Sequence, residues 1–244
     1  MLILALLYTA SFLPYQVAFL DEDTSLMKLV NNLLDAFFWC DICINFISAY
    51  ELPNGNYEPR SSKIIKNYLK GWFWIDLIST FPTEAFGALF YKAEGDSYDN
   101  VNKLARLARI PRLYRLTRIL RTLRILKVIR YHSKFSKWFT KFNMSQQGAQ
   151  IAKLAALAIF LIHVTACLWY YLSKLQDFAE ETWVTQKIKP TDSNFYAYFN
   201  SVYWSLQVLT TVGFGDFPVN NTVEHILNVI WMLFGVSFYQ VLFG

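Results

Sequence analysis

Charge is scarce in this sequence. Asp, Glu, Lys and Arg make up 17% of its 244 residues, against 55% hydrophobic and 18% aromatic. A water-soluble domain carries roughly a quarter charged residues, so the shortage excludes an ordinary soluble globule and makes the bilayer the first candidate solvent. Cysteine is scarce too: Cys40, Cys43 and Cys167 each lie in apolar sequence without framework spacing. That excludes a disulfide scaffold and predicts small buried hydrophobes. No nucleophile stands with a base, so no enzyme is expected, and His163 with Cys167 lacks the further ligands of a metal site. Met1 to Leu20 has neither a basic n-region nor a small-residue cleavage site, so it is not read as a signal peptide.

What charge there is lies in one place. The formal net charge is +5, yet nine Arg and Lys fall between Arg106 and Arg130, which leaves the remainder net acidic. A pI near 9.0 invites nucleic acid. Bases set in apolar sequence are not a solvated phosphate-binding face, however, and no nucleic-acid partner is expected.

A helix needs about 20 apolar residues to cross the hydrocarbon core, and six candidate spans occur at 1–20, 26–50, 64–90, 104–130, 148–173 and 223–244. Phe195 to Thr210 is apolar but shorter and reads as a re-entrant segment. Arg60, Lys63, Lys66 and Lys70 follow the second span, and His132, Lys134, Lys137 and Lys141 follow the fourth; both connections are expected in the cytoplasm. The remaining loops are acidic or mixed, so both termini are expected on the cytoplasmic side, with the plasma membrane as location. Because the chain starts and stops in hydrophobic sequence, further cytosolic portions are expected at both ends. Leu52-Pro53-Asn54-Gly55-Asn56 predicts a turn, and Asn143-Met144-Ser145-Gln146 a cap on the fifth helix. The expected organisation is a four-helix unit over 1–133, a linker over 134–147, and a helix, re-entrant segment, helix unit over 148–244.

Arg106, Arg109, Arg112, Arg115, Arg118, Arg121, Arg124, Lys127 and Arg130 recur at every third position with mostly apolar pairs between. On an α-helix this step gives a spiral stripe of charge, and on a 3₁₀ helix a straight row. Each such side chain in hydrocarbon costs about 2.5–3.5 kcal/mol, so the row must face carboxylates or water. A surface-lying amphipathic helix would instead cluster its charges and keep an i, i+3, i+4, i+7 apolar face. Voltage sensing suits the ladder better, because each charge moved through the field changes the energy by about 2.3 kcal/mol per 100 mV. Pro111 removes a backbone donor, which makes Arg112 to Lys127 firmer sensing charges than Arg106 and Arg109. Countercharges are expected from the neighbouring spans: Asp35 and Asp41, with Phe38 on the same face, and Asp76 alone in Trp72-Phe73-Trp74-Ile75-Asp76-Leu77.

Thr210-Thr211-Val212-Gly213-Phe214-Gly215-Asp216 follows the re-entrant segment. Gly213 and Gly215 admit dihedrals closed to other residues, so that successive carbonyls can point one way. Rings of such carbonyls from four chains replace the hydration shell of potassium, which predicts a closed four-fold assembly.

With these motifs in hand, the chain resembles six-helix voltage-gated cation channels over essentially its whole length. The branch it resembles carries cyclic-nucleotide-binding cytosolic domains: ether-à-go-go, plant inward-rectifier and pacemaker channels. Asp35-Ala36-Phe37-Phe38 with Asp41 is similar to that branch's second helix, Ile75-Asp76-Leu77-Ile78-Ser79-Thr80-Phe81-Pro82 to its third, and His163-Val164-Thr165-Ala166-Cys167-Leu168-Trp169 to its fifth. The resemblance implies an all-α membrane protein, with a four-helix voltage-sensor bundle followed by a pore domain of helix, re-entrant pore helix, filter and helix, in a homotetramer or a heterotetramer of related subunits. It implies Arg109, Arg112, Arg115, Arg118, Arg121, Arg124 and Lys127 as sensing charges, and Phe38, Asp41 and Asp76, with Asp35, as the charge-transfer centre. Thr211, Val212, Gly213 and Phe214 would hold potassium ions through their carbonyls, within a filter that runs on through Gly215 and Asp216. Trp204, Thr210 and Asp216 would support that filter, and Gly235 would be a hinge. No cofactor is implied beyond the permeant ion. The short linker after the fourth span implies a sensor packed on its own subunit's pore. Pacemaker channels interrupt the ladder where Arg118 continues it and lack the Thr211-Val212 pair, though a hyperpolarisation-activated, cyclic-nucleotide-modulated cation channel stays open as the alternative. Phe214 replaces the common Tyr and forgoes its hydroxyl. A sensor that controls an enzyme or carries protons is the third reading, and the filter weighs against it. Asn220-Asn221-Thr222 is a glycosylation sequon on the expected outer face.

Overall fold

The computed structural model describes residues 2–21, 23–50, 55–80, 122, 124, 126, 127 and 146–243. Helix dominates, and no strand occurs among the described residues. The elements are α1 (Leu2–Phe19), α2 (Ser25–Ile47), α3 (Ser61–Lys70), α4 (Phe73–Thr80), α5 (Gln146–Leu175), α6 (Trp183–Lys187), α7 (Asn194–Leu209) and α8 (Thr222–Phe243). Stretches in α2, α5 and α8 are long and apolar enough to cross a membrane: Ser25–Ile47, Gln147–Leu175 and Thr222–Gln240. They match the second, fifth and sixth expected spans, and the shorter apolar Leu4–Phe19 matches the first. Arg109, Arg112, Arg115, Arg118 and Arg121 lie outside the described residues, as do 81–90 of the third span and most of the linker.

The span expected to begin at 64 starts later. Ser61–Lys70 is a separate helix, closed at Gly71, whose φ of −106° and ψ of −100° fit no helix. Its composition explains the break: Ile64 and Tyr68 are buried while Lys63, Lys66 and Lys70 are exposed, the pattern of a helix lying along a surface. The Glu58 carboxylate holds its start, accepting from the Arg60 backbone N–H at 3.3 Å and the Lys63 ammonium at 3.0 Å. The Lys63 bond keeps the Glu58 carboxylate below its ordinary range.

The chain divides into two compact units, one of residues 1–9 and 22–130, the other of 10–21 and 131–244. In the first, α2 begins at Thr24, whose Oγ1 accepts from the Met27 N–H, and packs with α3 and α4 around Phe38, Ile42, Ile64 and Tyr68. Cys40 and Cys43 are exposed on α2 rather than buried as expected, because the inward face is taken by Phe38, Asp41 and Ile42. Only Cys167 is buried, and all three thiols are free.

In the second unit α5, α6, α7 and α8 share a core of Trp169, Trp183, Trp204, Val208, Leu209 and Trp231. The 16 residues of α7 span about 24 Å at 1.5 Å per residue, short of the roughly 30 Å hydrocarbon core, as a re-entrant helix requires. Ser193 caps it by accepting from the Tyr196 N–H. Residues 10–21 lie on the same core: Phe19 stacks on Tyr170 with centroids 4.2 Å apart, and Tyr15 meets Tyr198 edge-on. The Lys174 ammonium donates to the carbonyls of Ala18 and Leu20 at 3.1 and 3.2 Å, and Asn194 Nδ2 to that of Phe19 at 2.8 Å. The carbonyls left over at the end of α1 thus find donors.

Candidate functional site

In the first unit one aromatic ring collects charge. Asp35, Phe38, Asp41 and Ile42 lie three or four residues apart on α2 and so share a face, which α4 meets with Asp76, Ser79 and Thr80. Lys127, fully buried, sets its ammonium 4.3 Å from the Phe38 ring centroid, 3.4 Å from Asp76 Oδ1 and 3.4 Å from Thr80 Oγ1. Arg124, only 1% exposed, places its guanidinium 5.6 Å from the same centroid. Its Nη2 pairs with Asp35 Oδ1 at 2.6 Å, and its Nε donates to the Ser79 carbonyl at 2.8 Å. Asp41 lies close enough for its charge to act on Lys127.

Asp76 is fully buried, and a carboxylate there is tolerable only with its oxygens engaged. Lys127 meets Oδ1, and the Tyr68 hydroxyl donates to Oδ2 at 2.7 Å. Two ladder cations therefore lie out of water, held by three kinds of partner: carboxylate, backbone carbonyl and aromatic face. A desolvated cation over a ring gains about 2 kcal/mol or more from that contact alone.

In the second unit the segment after α7 turns sharply. Thr211, Gly213 and Gly215 have φ of 60°, 53° and 73°, alternating with residues of ordinary hand. The N–H groups of Val212 and Gly213 donate to the Gln207 carbonyl at 3.0 and 3.2 Å, and that of Phe214 to Gln207 Oε1 at 2.9 Å. A planar trans peptide points its carbonyl opposite to its N–H. The carbonyls of Thr211, Val212 and Gly213 therefore all point away from Gln207, which is buried, toward the side where residues 211–216 are exposed. Gln207 Nε2 in turn donates to Asp216 Oδ1 at 2.9 Å.

A family model described as ion transport protein matches residues 1–244. The chain belongs to the ion transport protein family. It is 31% identical over 247 residues to potassium channel AKT1 of Oryza sativa subsp. indica, aligned over all of this chain and 24% of that one. Potassium channel AKT1 of Arabidopsis thaliana is 30% identical, with 26% of its length covered, and potassium channel KAT1 of Oryza sativa subsp. japonica 28%, with 32% covered. The chain thus spans about a quarter to a third of the length of these curated relatives. As a member of this family with helices fit to cross a bilayer, it is an integral membrane protein and not an enzyme.

Within this ion transport chain, the structure brings Asp35, Phe38, Asp41, Asp76, Arg124 and Lys127 together. Trp204 does not bond the 211–216 segment in any described contact; it stacks on Trp169 of α5. Thr210 closes the end of α7, its hydroxyl donating to the Leu206 carbonyl at 2.9 Å. Gly235 lies inside an unbroken α8, where an added Cβ would stand 3.0 Å from the Leu209 carbonyl oxygen. Close helix approach is what that glycine permits here. His163 forms a polar pair, its Nδ1 2.8 Å from the Tyr198 hydroxyl, with Cys167 Sγ 3.9 Å from its Nε2. The sequence reading missed Tyr68, Ser79, Thr80 and Gln207. Gln207 carried a signal in being the one amide of Ser-Leu-Gln-Val-Leu, three residues before Thr210.

Proposed function

We propose that this chain is one subunit of a voltage-gated, potassium-selective channel whose four copies, identical or related, surround one pore in the plasma membrane. The observation that carries the reading is the occupancy of Phe38. Two consecutive ladder charges, Arg124 and Lys127, are buried on one ring, each with its own carboxylate. Cations that take neighbouring stations on a single track are suited to stepping along it, and each step through the field is driven at about 2.3 kcal/mol per charge per 100 mV.

With the Arg60–Lys70 segment and both termini in the cytoplasm, α2 runs inward, Asp35 is the outer station and Asp76 the inner one. Only Arg130 of the ladder follows Lys127 in sequence. This reading therefore assigns the arrangement to the outward, depolarised end of the sensor's travel.

Selectivity rests on the carbonyls of Thr211, Val212 and Gly213, joined by that of Phe214, which in four copies would form successive rings of oxygen. The exposure of Val212 at 54% and Phe214 at 69% in a lone chain supports faces that neighbouring copies cover. The test is electrophysiology on the full-length protein in a cell membrane. A reversal potential that follows potassium is expected, and equal sodium and potassium permeability would reject the selective pore. Absence of gating current would reject the sensor, and the sign of the activating step separates this reading from a hyperpolarisation-opened cation channel.

A further inference from the structure

The side chains of α3 fall into three lines along the helix. Ile64 and Tyr68, one turn apart, are buried. One residue on, and so turned about 100° around the axis, Ile65 and Leu69 are exposed. One residue further, Lys66 and Lys70 are exposed as well, and neither has an ion pair or hydrogen bond among the described residues. Lys63 differs in that Glu58 neutralises it at 3.0 Å. The helix therefore has a protein-facing line, a second apolar line that the protein leaves open, and a basic line on the remaining side.

The level at which α3 lies gives the open lines a partner. Tyr68 meets Phe46 edge-on with centroids 5.0 Å apart, and Phe46 is the last residue but one of the membrane-crossing stretch Ser25–Ile47. So α3 sits where that span stops. Ile44 and Ile47 are exposed at the same end of α2, and Tyr57 and Trp74, on either side of α3 in sequence, are exposed too. Tyrosine and tryptophan gather at membrane–water interfaces. A helix with protein on one side and acyl chains against the next holds its third side at the level of the lipid phosphates, where lysine stems reach them.

The same helix also reaches the charge cluster. The buried Tyr68 hydroxyl donates to Asp76 Oδ2 at 2.7 Å, while Lys127 stands 3.4 Å from Oδ1. One carboxylate thus has one oxygen on the surface helix and the other on the ladder.

We propose that Lys66 and Lys70 form a docking site for the phosphates of anionic phospholipids in the cytoplasmic leaflet, and that this lipid, by holding α3, steadies Asp76 through Tyr68 in the position that receives Lys127. The proposal rests on the reading of the ladder as a voltage sensor with α3 on the cytoplasmic side.

The site is tested on full-length protein in vesicles of phosphatidylcholine alone, or of phosphatidylcholine and phosphatidylserine in a three-to-one mixture. Hydrogen exchange over 61–71 is expected to be slower in the mixture, and high salt should abolish the difference. Each lysine near an anionic surface is worth about fivefold in affinity, so Lys66→Gln with Lys70→Gln should weaken the lipid's hold by roughly 25-fold and erase the difference. Equal exchange of the parent in both vesicles, or a difference that survives in the double variant, would overturn the site. Inorganic phosphate that slows exchange as much in lipid-free detergent would overturn the bilayer as its partner. Slow exchange in phosphatidylcholine alone that the double variant releases would place an acidic protein segment on the helix instead, and is equally fatal.

Gating currents in giant vesicles of the same two compositions test the link to the sensor. Phosphatidylserine alters the surface potential for every variant alike, so the readout is the difference between variants. On its addition the parent's charge–voltage midpoint is expected to move to more negative voltages relative to the double variant's, because the lipid favours the outward arrangement. Tyr68→Phe keeps the ring and the lysines but lacks the hydroxyl. It should retain the slow exchange, yet its midpoint should respond as the double variant's does; a parent-like response would break the link to Asp76. A parent without gating current would refute the voltage-sensor reading, while the exchange measurement still decides the lipid site.

Discussion

The ammonium of Lys127 stands over the face of Phe38, 4.3 Å from the ring centroid, with Asp76 closing the same pocket at 3.4 Å. The cation has left water entirely, and ring and carboxylate replace its hydration from two directions. Asp76→Asn would leave that charge buried without its counter-ion. Breaking a buried pair in this way costs about 3–5 kcal/mol. For a sensor that moves about three charges, this corresponds to roughly 40–70 mV. The midpoint of the charge–voltage curve, read from gating currents, is expected to move to more positive voltages, because the state that loses stability is the outward one.

Trp204 and Trp169 stack at 3.8 Å with 4° between their planes, and Trp183 lies parallel beyond at 5.8 Å from Trp169. These three indoles tie α5, α6 and α7 into one core. Trp204→Ala is expected to destabilise the second unit by about 3–5 kcal/mol. Thermal melting of the purified assembly in detergent checks it, with Trp204→Phe expected to recover part of the loss.

Gly235→Ala would press a methyl group to 3.0 Å from the Leu209 carbonyl oxygen, with the Leu209 Cα at 3.4 Å. Both are backbone atoms at the end of α7 and cannot swing aside. Overpacking of this kind costs about 1–3 kcal/mol, outweighing alanine's better helix propensity of about 1 kcal/mol. A lower melting temperature is expected. An unchanged or higher one would show that α7 and α8 are looser than their spacing implies.

Lys174 is buried, with its ammonium on the Ala18 and Leu20 carbonyls and 2.9 Å from Asp21. Asp21 is largely exposed, so that ion pair adds little. The carbonyls carry the weight. Lys174→Met preserves the aliphatic stem and leaves them without their donor, a loss of about 1–3 kcal/mol. Faster hydrogen exchange at residues 16–21 than in the parent is the expected outcome.

How much of this could be read from residues alone depended on periodicity. The apolar runs of α2, α5 and α8 are long enough to announce themselves, and a charge set in apolar sequence, such as Asp35 and Asp41 in α2 or Asp76 in α4, stands out because solvation penalties make it rare. The triplet repeat by itself marks Arg124 and Lys127. What stayed hidden depended on local backbone or on partners far away in sequence. The break at Gly71 lies inside a stretch where apolar residues recur on both sides, from Ile64 to Leu69 and from Trp72 on, although Lys66, Asn67 and Lys70 interrupt the first part. The Tyr68 hydroxyl is indistinguishable from any half-buried tyrosine until Asp76 is seen 2.7 Å away. Cys40 and Cys43 looked interior because a lipid-facing surface and a protein core share one composition, and only the position of Phe38 tells which side of α2 is which. Gln207 meets Asp216, nine residues on, after a turn that no helical repeat describes.

Thr211 holds a φ of 60°, a left-handed conformation that a β-branched side chain resists. Such a residue stores about 1–3 kcal/mol, and in the proposed assembly of four the sum would reach roughly 4–12 kcal/mol. Under the proposed function, a cation that lodges beside Thr211 would help to offset that tension, so the guest would share the cost of the shape that receives it.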